Sequence, residues 1–393
     1  MTTALTGTTA TGLHVGLTVE QLWQRVPGGS GSYILALAEA LAARGDVRVT
    51  GLAAHHRGGE AARAGTDAAA LTVPVRSLGL PRYGLYRAWN HLGAPRPEWG
   101  VRSLDVVHAT TWAIPPTRRP LVVTVHDVAF LRDPGHFTPR GVSFFTRALD
   151  RTRDEAGAVV VPSQATADDC VEAGIEPERL HVVPHGAPAW STVPVTDGEV
   201  AELRARLALP ERFVLWCGTF EPRKNLAGLL EGFRLLADED PDLHLVLVGP
   251  PGWGETQHDV HRGPWTQRVH EVGRVSTADL RVAYAAATAL CFPSTWEGFG
   301  LPVLEAMSVG TPVVTSRGTS MAEVVGAAGD AGVLVDPADP ADIAAGMARA
   351  VGPEHDALAA AALARSRDFT WERAAGETLA AYRAAVSAGT RGA

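Results

Sequence analysis

The sequence is poor in cysteine, in clusters of basic residues and in long hydrophobic runs, and each shortage excludes a class of protein. Its three cysteines, Cys170, Cys217 and Cys291, lie far apart and form no CxxC pair, so we expect reduced, buried thiols rather than disulfides or a zinc site. No apolar run reaches the ~18 residues of a membrane span. With a net charge of −8 and no block of Lys or Arg, the chain lacks the basic footprint of nucleic-acid binding.

The N-terminal residues 1–12 contain neither the basic region nor the apolar region of a signal peptide. We therefore expect a cytoplasmic protein. The mixture of Arg, Tyr and Trp in residues 82–92 is interpreted as an ordinary surface helix, with peripheral membrane contact or acceptor contact as the alternatives. The length of 393 residues favours two domains.

Short β-branched runs alternate with helical patterns along most of the chain, and we predict strands in these runs: 13–22, 47–50, 104–110, 120–130, 156–163, 213–219, 243–250, 269–275, 289–294, 312–316 and 331–337. This alternation is typical of a parallel sheet covered by helices on both faces. It runs from residue 13 to residue 174, is interrupted at 182–199 by a segment rich in Pro, Gly, Ser and Thr, and restarts at 213. We interpret the interruption as a linker. The sequence therefore predicts an α/β protein with two doubly wound, Rossmann-like domains.

The two predicted domains are residues 1–190 and residues 191–368. Sheets of this kind bind ligands outside the carboxyl ends of their strands, at the point where the strand order reverses. Two such sheets joined by one linker present these ends across a crevice, so the pattern predicts a ligand site between the domains.

The motif WEGFGLPVLEAM at 296–307 carries the sharpest chemical signal. A predicted strand runs into a glycine-containing loop, and Pro302 then begins a helix, where its missing N–H costs nothing. Glu297 lies before this helix and Glu305 lies one turn inside it. Two solvated glutamates are the alternative, but the glycines between them favour a ligand site. The free N–H groups at the helix start suit an anion or a hydroxyl; they surround Phe299, Gly300 and Leu301.

Three other segments carry polar residues at the carboxyl ends of predicted strands. Arg223 and Lys224 follow a strand and suit a diphosphate, although exposed basic residues are also common in turns. The Gly-rich turn at 27–31, which contains Gly29, opens the first helix and allows close approach of backbone to phosphate. His126 ends an apolar strand, a position that favours function over a structural role.

Two acidic segments are interpreted without a catalytic role. Residues 320–323, with the sequence SMAE, predict a capping box in which Glu323 reaches back to Ser320. Residues 238–240, with the sequence DED, fall at a helix end before a proline and are interpreted as a solvated turn. We therefore expect no metal and no other cofactor.

Taken in order, these segments resemble the family-4 group of retaining glycosyltransferases with the GT-B fold, over nearly the whole chain. The two glutamates separated by seven residues are the hallmark of the resemblance, and the final segment, 369–393, resembles one that packs back on the N-terminal domain. The resemblance implies transfer of a hexose from a nucleotide-diphosphate sugar. A GDP-mannose donor is favoured and UDP-sugars are the alternative; the acceptor is a saccharide, a lipid-linked molecule or a small molecule.

The resemblance also implies roles for individual residues. Glu305 would bind the donor ribose, and Glu297 and His126 would lie beside the donor sugar. Lys224 and the backbone of Gly29 would bind the diphosphate. Val275 would contact the base through backbone groups. Many members carry an arginine where this chain has Thr219, and whether Arg223 supplies that second cation stays open.

Retention at the anomeric carbon is implied by the same resemblance, through front-face substitution with Lys224, Arg223 and the helix start at 300–302 stabilising the leaving group. His126, Lys224 and Glu297 are the candidate catalytic residues. Two alternatives remain at this point. A nucleotide-sugar epimerase of the same fold would act without an acceptor, and a non-catalytic sugar-binding protein would bind a nucleotide sugar without turnover.

Overall fold

The computed structural model describes residues 12–58, 66–252 and 264–391. Residues 1–11, on which the predicted absence of a signal peptide rests, lie outside the described residues. In the described part of the chain, no helix combines the length and the apolar character needed to cross a membrane. The three cysteines are free and buried, as the sequence predicts.

The N-terminal half forms a parallel sheet that contains, among the described residues, seven strands in the order β3-β2-β1-β4-β5-β6-β7. The order reverses between β1 and β4. Every residue of β4, β5 and β6 is buried, as expected for Val-rich strands covered on both faces. The strands are β1 (Leu13–Thr18), β2 (Val47–Ala53), β3 (Val75–Ser77), β4 (Val106–Ala109), β5 (Leu121–Thr124), β6 (Ala158–Val161) and β7 (Leu180–Val182).

The C-terminal half forms a second parallel sheet with, in the described ranges, six strands in the order β10-β9-β8-β11-β12-β13. Here the order reverses between β8 and β11. The strands are β8 (Phe213–Cys217), β9 (His244–Val248), β10 (Val269–Gly273), β11 (Ala289–Phe292), β12 (Val313–Ser316) and β13 (Val333–Val335). Two doubly wound α/β domains are thus present, in agreement with the predicted fold class.

Helices cover the sheets and connect their strands. In the first half they are α1 (Gly28–Ala42), α2 (Arg82–Leu92), α3 (Pro97–Gly100), α4 (Ala129–Arg132), α5 (Pro139–Glu155) and α6 (Gln164–Glu172). In the second half they are α7 (Asp197–Leu207), α8 (Leu226–Ala237), α9 (Thr277–Ala286), α10 (Leu301–Ser308), α11 (Ser320–Val325), α12 (Pro340–Val351), α13 (His355–Ser366) and α14 (Trp371–Arg391).

The last helix, α14, packs on the N-terminal sheet rather than on the domain that precedes it. Leu379 and Tyr382 belong to the same buried core as Ile34 and Leu37 of α1. The hydroxyl of Tyr382 also lies 2.8 Å from Nδ1 of the buried His108 on β4. This helix therefore packs against α1 and the first sheet, and it connects the C-terminal half to the N-terminal half.

Two details of the sequence interpretation differ from the structure. The strands β3 and β7 escaped prediction because they are the two edges of the first sheet and contain no fully buried residue. The predicted linker at 182–199 also overlaps α7, which begins at Asp197. A capping box between Thr196 and Glu199 starts this helix.

Candidate active site in the interdomain cleft

A cavity of about 440 Å³ lies between the carboxyl ends of the two sheets. It is lined by residues of both halves, and it contains the point at which the order of the second sheet reverses, where α/β sheets bind ligands. The structure brings all ten of the predicted site residues to this cavity: Gly29, His126, Arg223, Lys224, Val275, Glu297, Phe299, Gly300, Leu301 and Glu305.

The two predicted cations share one carboxylate. Nζ of Lys224 lies 2.7 Å from Oε1 of Glu297, and Nη1 of Arg223 lies 2.6 Å from Oε2 of the same residue. Burial by itself raises the pKa of Glu297, but Arg223 and Lys224 outweigh it and lower that pKa to about 2. Glu297 is therefore ionised at any physiological pH, and both of its oxygens are engaged by positive charge.

Local structure explains why these cations face the cavity. The chain leaves β8 at Cys217, forms a short 3₁₀ turn over Pro222–Lys224, and enters α8 through Asn225. Asn225 has a φ of 53° and its side chain accepts a hydrogen bond from the N–H of Gly228, so it is the N-cap of α8. The turn places Lys224 at the carboxyl end of the sheet with 8% of its surface exposed.

Lys224 is also the single lysine of the 393-residue sequence, in which arginine supplies the other positive charges. This rarity is a signal that the motif-based interpretation did not use. A compact ammonium group differs from a guanidinium because it acts as a point charge with three freely placed donors. The chain therefore carries its lysine only where a buried cation faces the cavity.

Two helices point their N-termini into the cavity. Among the described residues, no side chain caps α1 or α10, whereas α6 and α9 are capped by Ser163 and Ser276. The first N–H groups of α1 and α10 thus remain available to a ligand, and the helix dipoles favour a negative one. Gly300 begins α10 with a φ of 97°, and a Cβ there would lie 2.5 Å from Met321, so glycine is required.

Glu305 sits at the end of a buried chain of polar groups that sequence analysis missed. The hydroxyl of Tyr284 donates to Oε2 of Glu305 over 2.7 Å, and it lies 2.9 Å from Sγ of Cys217. Burial raises the pKa of Glu305, and the hydrogen bond from Tyr284 only partly offsets this. Tyr284 lies on α9 within an apolar helical pattern, which gave no sign of a polar role.

His126 lies at the other side of the cavity, after the end of β5. Its Nε2 lies 3.0 Å from the carbonyl oxygen of Thr110, so Nε2 carries the proton and donates. Burial lowers the pKa of His126, which makes the ring neutral and leaves Nδ1 as an acceptor. A sugar hydroxyl is a suitable donor to this nitrogen. The buried His185, also in the cavity wall, was not predicted.

The loop between Glu297 and α10 is held against the N-terminal half. The carbonyl oxygen of Gly298 accepts hydrogen bonds from Oγ of Ser163 over 2.7 Å and from Oγ1 of Thr166 over 3.1 Å. A Cβ at Gly298 would lie 1.7 Å from the carbonyl oxygen of His126, so the close approach of the two domains requires glycine here.

Glu323 does not cap its own helix, so the predicted capping box at 320–323 is wrong. Thr319 is the N-cap of α11, and Oγ of Ser320 donates to the carbonyl oxygen of Glu297. The carboxylate of Glu323 instead accepts from the N–H groups of Gln164 and Ala165, each over 2.8 Å. Glu323 therefore caps α6 of the opposite domain, and its charge favours the contact through the helix dipole.

Replacing Glu323 with alanine is expected to weaken this interdomain contact by about 1 kcal/mol, the usual value of a lost helix cap. The ratio of closed to open molecules then falls roughly fivefold, and the turnover rate falls by at most the same factor. Small-angle scattering would report the larger mean separation of the domains. An unchanged radius of gyration together with unchanged turnover would contradict the role of Glu323, and Glu202→Ala, an exposed carboxylate on α7, is the control.

Comparison with known protein families agrees with this architecture. The model of the family described as glycosyl transferases group 1 matches residues 200–363, and that of Glycosyltransferase Family 4 matches residues 27–189. The solved structure of HepE from Anabaena in complex with UDP and glucose has a TM-score of 0.71 at 22% identity, and covers 94% of this chain and 99% of that chain. A likeness at this identity establishes the fold.

Curated relatives extend the match to sequence. O-antigen chain mannosyltransferase B of Escherichia coli is 31% identical over 307 residues, which cover 76% of this chain and 80% of that protein. D-inositol 3-phosphate glycosyltransferase of Streptomyces griseus is 29% identical over 344 residues, with 78% and 71% covered. The chain therefore belongs to the family-4, or group 1, glycosyltransferases, has their GT-B fold, and is a glycosyltransferase.

Proposed function

We propose that this enzyme transfers a hexose, with a mannose-like sugar favoured, from a nucleoside-diphosphate sugar to a hydroxylated acceptor. We further propose that it retains the anomeric configuration and needs no metal ion. The observation that carries the proposal is the placement of Arg223, Lys224 and Glu305 around one cavity with two uncapped helix N-termini. The names of relatives such as the mannosyltransferase of Escherichia coli support the choice of sugar.

The proposed donor spans the cavity. Its diphosphate lies against Lys224 and Arg223, between the start of α1 at Gly29 and the start of α10, where positive charge and free N–H groups converge. A Cβ at Gly29 would be only 3.1 Å from Leu301, so the two helix starts are close enough to address one diphosphate. Glu305 accepts from the ribose hydroxyls, and the base lies by Val275.

The proposed reaction exchanges two bonds at the anomeric carbon. The bond from this carbon to the diphosphate oxygen breaks, the acceptor oxygen bonds to the same face, and the acceptor proton passes to the leaving diphosphate oxygen. A double displacement would need a free carboxylate nucleophile. Glu297 is poorly suited to that role, because Lys224 and Ser294 engage one of its oxygens and Arg223 the other.

Stabilisation of the leaving group is assigned to the protein itself. Arg223 and Lys224 bring two positive charges to the place where negative charge develops, and preorganised groups of this kind supply a large part of catalysis. We propose that these charges take the place of a divalent ion. His126, as a neutral acceptor at Nδ1, would orient the donor sugar.

A thermal-shift screen with nucleoside diphosphates and their sugars tests the proposal directly. A ligand that binds the folded chain raises its melting temperature by mass action, so GDP and GDP-mannose, or UDP and its sugars, should do so. Incubation with and without acceptor then separates transfer from epimerisation. Failure of every nucleoside diphosphate to stabilise the protein would overturn the proposed function.

Replacing Glu305 with glutamine is expected to weaken donor binding and to stabilise the fold. Loss of charge-assisted hydrogen bonds to the ribose costs about 1.5–3 kcal/mol, or roughly 10–100-fold in affinity. Burial raises the pKa of Glu305 above its ordinary 4.5, so its ionisation costs folding free energy as the pH rises through the folded pKa. The gain in melting temperature for Glu305→Gln should therefore be larger at pH 8 than at pH 4.

The pH dependence separates this effect from a general change in packing. A gain that is equal at pH 4 and pH 8 would contradict the buried charge. Unchanged donor affinity would contradict the assignment of Glu305 to the ribose. Glu202→Gln removes an exposed carboxylate of α7 and is the matched control for both measurements.

A further inference from the structure

A second pocket, of about 190 Å³, adjoins the proposed donor cavity at Arg223, which lines both. One wall belongs to the N-terminal half, where α4 and the turn after it contribute Arg132 and Phe137. The other wall belongs to the C-terminal half and is formed by Thr295 and Trp296. A cavity of about 150 Å³ holds benzene, so this pocket has room for a single six-membered ring.

Each basic side chain of the pocket is paired with a carboxylate. The guanidinium of Arg132 forms a forked interaction with Asp169. His136 lies 3.1 Å from Asp133. Arg223 pairs with both Glu221 and Glu297. The pocket therefore presents balanced charge. Its described lining also includes neither of the uncapped helix starts that supplement Arg223 and Lys224 in the donor cavity, so it suits a neutral acceptor better than a phosphorylated one.

Aromatic rings form much of the remaining surface. Trp296 is held in place by Arg132, whose guanidinium carbon lies 3.6 Å from the centre of the indole ring. Sugars present apolar C–H faces and hydroxyl groups together, which suits a pocket that combines Trp296 and Phe137 with the guanidinium of Arg132.

We propose that this pocket binds the acceptor, and that the acceptor is a neutral saccharide rather than a phosphorylated one. The proposal rests on the proposed function, because it needs a donor sugar beside Glu297. Trp296 directly precedes Glu297, and Arg223 contacts both residues. An acceptor ring in the pocket thus lies next to the end of the donor cavity that is assigned to the donor sugar. One acceptor hydroxyl can then bond to the anomeric carbon as the diphosphate leaves it.

Transfer kinetics with defined acceptors test the proposal. Radiolabelled GDP-mannose and UDP-glucose would be the donors, with methyl α-mannoside, methyl α-glucoside and the 6-phosphates of both as acceptors. The wild type is expected to prefer a neutral glycoside at least tenfold in kcat/KM. Phe137→Ala should raise the KM for this acceptor about tenfold, and Trp296→Phe, which keeps a ring but reduces the aromatic surface, severalfold.

Donor binding distinguishes the two proposals. The melting-temperature shift produced by GDP or UDP should be the same in Phe137→Ala as in the wild type. Tyr83→Ala, which removes a 74% exposed aromatic side chain from α2, is the control and should leave the acceptor KM unchanged. Preference for a 6-phosphate, or an acceptor KM that responds to Tyr83→Ala but not to Phe137→Ala, would overturn the pocket assignment. Absence of both donor binding and transfer would instead reject the proposed function.

Discussion

Replacing Lys224 with alanine is expected to lower the rate of sugar transfer about 10²–10³-fold, the usual effect of removing one preorganised group that stabilises developing charge, or roughly 2.7–4 kcal/mol. Lys224 is 8% exposed and lies 2.7 Å from Glu297, so its charge is largely shielded from bulk solvent. The chain should remain folded, because Arg223 still pairs with Glu297. Steady-state transfer and the unfolding transition measure the two effects separately.

The single lysine makes this prediction unusually easy to check without mutation. Reductive methylation of amines can modify only Lys224 and the N-terminal amino group, and a bound nucleoside diphosphate is expected to protect Lys224. Arg140→Ala, which removes an exposed cation outside the cavity lining, is the control. Activity of Lys224→Ala within threefold of the wild type would remove this residue from the catalytic machinery.

Replacing Glu297 with alanine is expected to lower the free energy of unfolding by about 3–5 kcal/mol, because one partner of a buried ion pair leaves the others uncompensated. Lys224 loses its carboxylate, and Arg223 keeps only Glu221. Urea unfolding at pH 7 measures the loss. A nucleoside diphosphate should recover part of it, because its negative charge would be attracted to the same two cations.

The pH dependence of this loss has a definite sign. The pKa of Glu297 is lowered from 4.5 to about 2 in the folded chain. Its ionic contribution is therefore fully present above pH 4.5 and disappears as the pH falls through 2. The difference in unfolding free energy between wild type and Glu297→Ala should shrink over that interval. A difference that stays constant down to pH 2 would mean that packing, and not charge, explains the loss.

The strands that the sequence predicted are those with continuous apolar runs. Buried parallel strands need apolar side chains on both faces, so β4, β5, β6 and β8 are legible from composition alone. Edge strands have no such requirement, and β3 and β7 could not be recognised. The same logic applies to the site, since polar residues directly after an apolar strand stand out against it, as His126 and Glu297 do.

Partners of the site residues were harder to predict. Tyr284 lies within an apolar helix, and its hydrogen bond to Glu305 joins residues 21 positions apart. Glu323 is the last residue of a sequence that matches a capping box, yet its carboxylate accepts hydrogen bonds from N–H groups 158 and 159 positions away. In both cases the local sequence pattern suggested a role within the residue's own helix, whereas the side chain contacts another element of the fold.

The sequence by itself determined two parallel sheets and the set of polar residues at their carboxyl ends, because strand burial and helix starts depend on local patterns of side chains. Only the tertiary structure decided which of these residues meet. The strand order reverses between the neighbouring strands β8 and β11, and this places Lys224 beside Glu297, 73 positions away. The approach of the two domains places the carboxylate of Glu323 at the start of α6 and Gly298 against His126. Such pairings depend on the order of strands and the docking of domains, which no local pattern encodes.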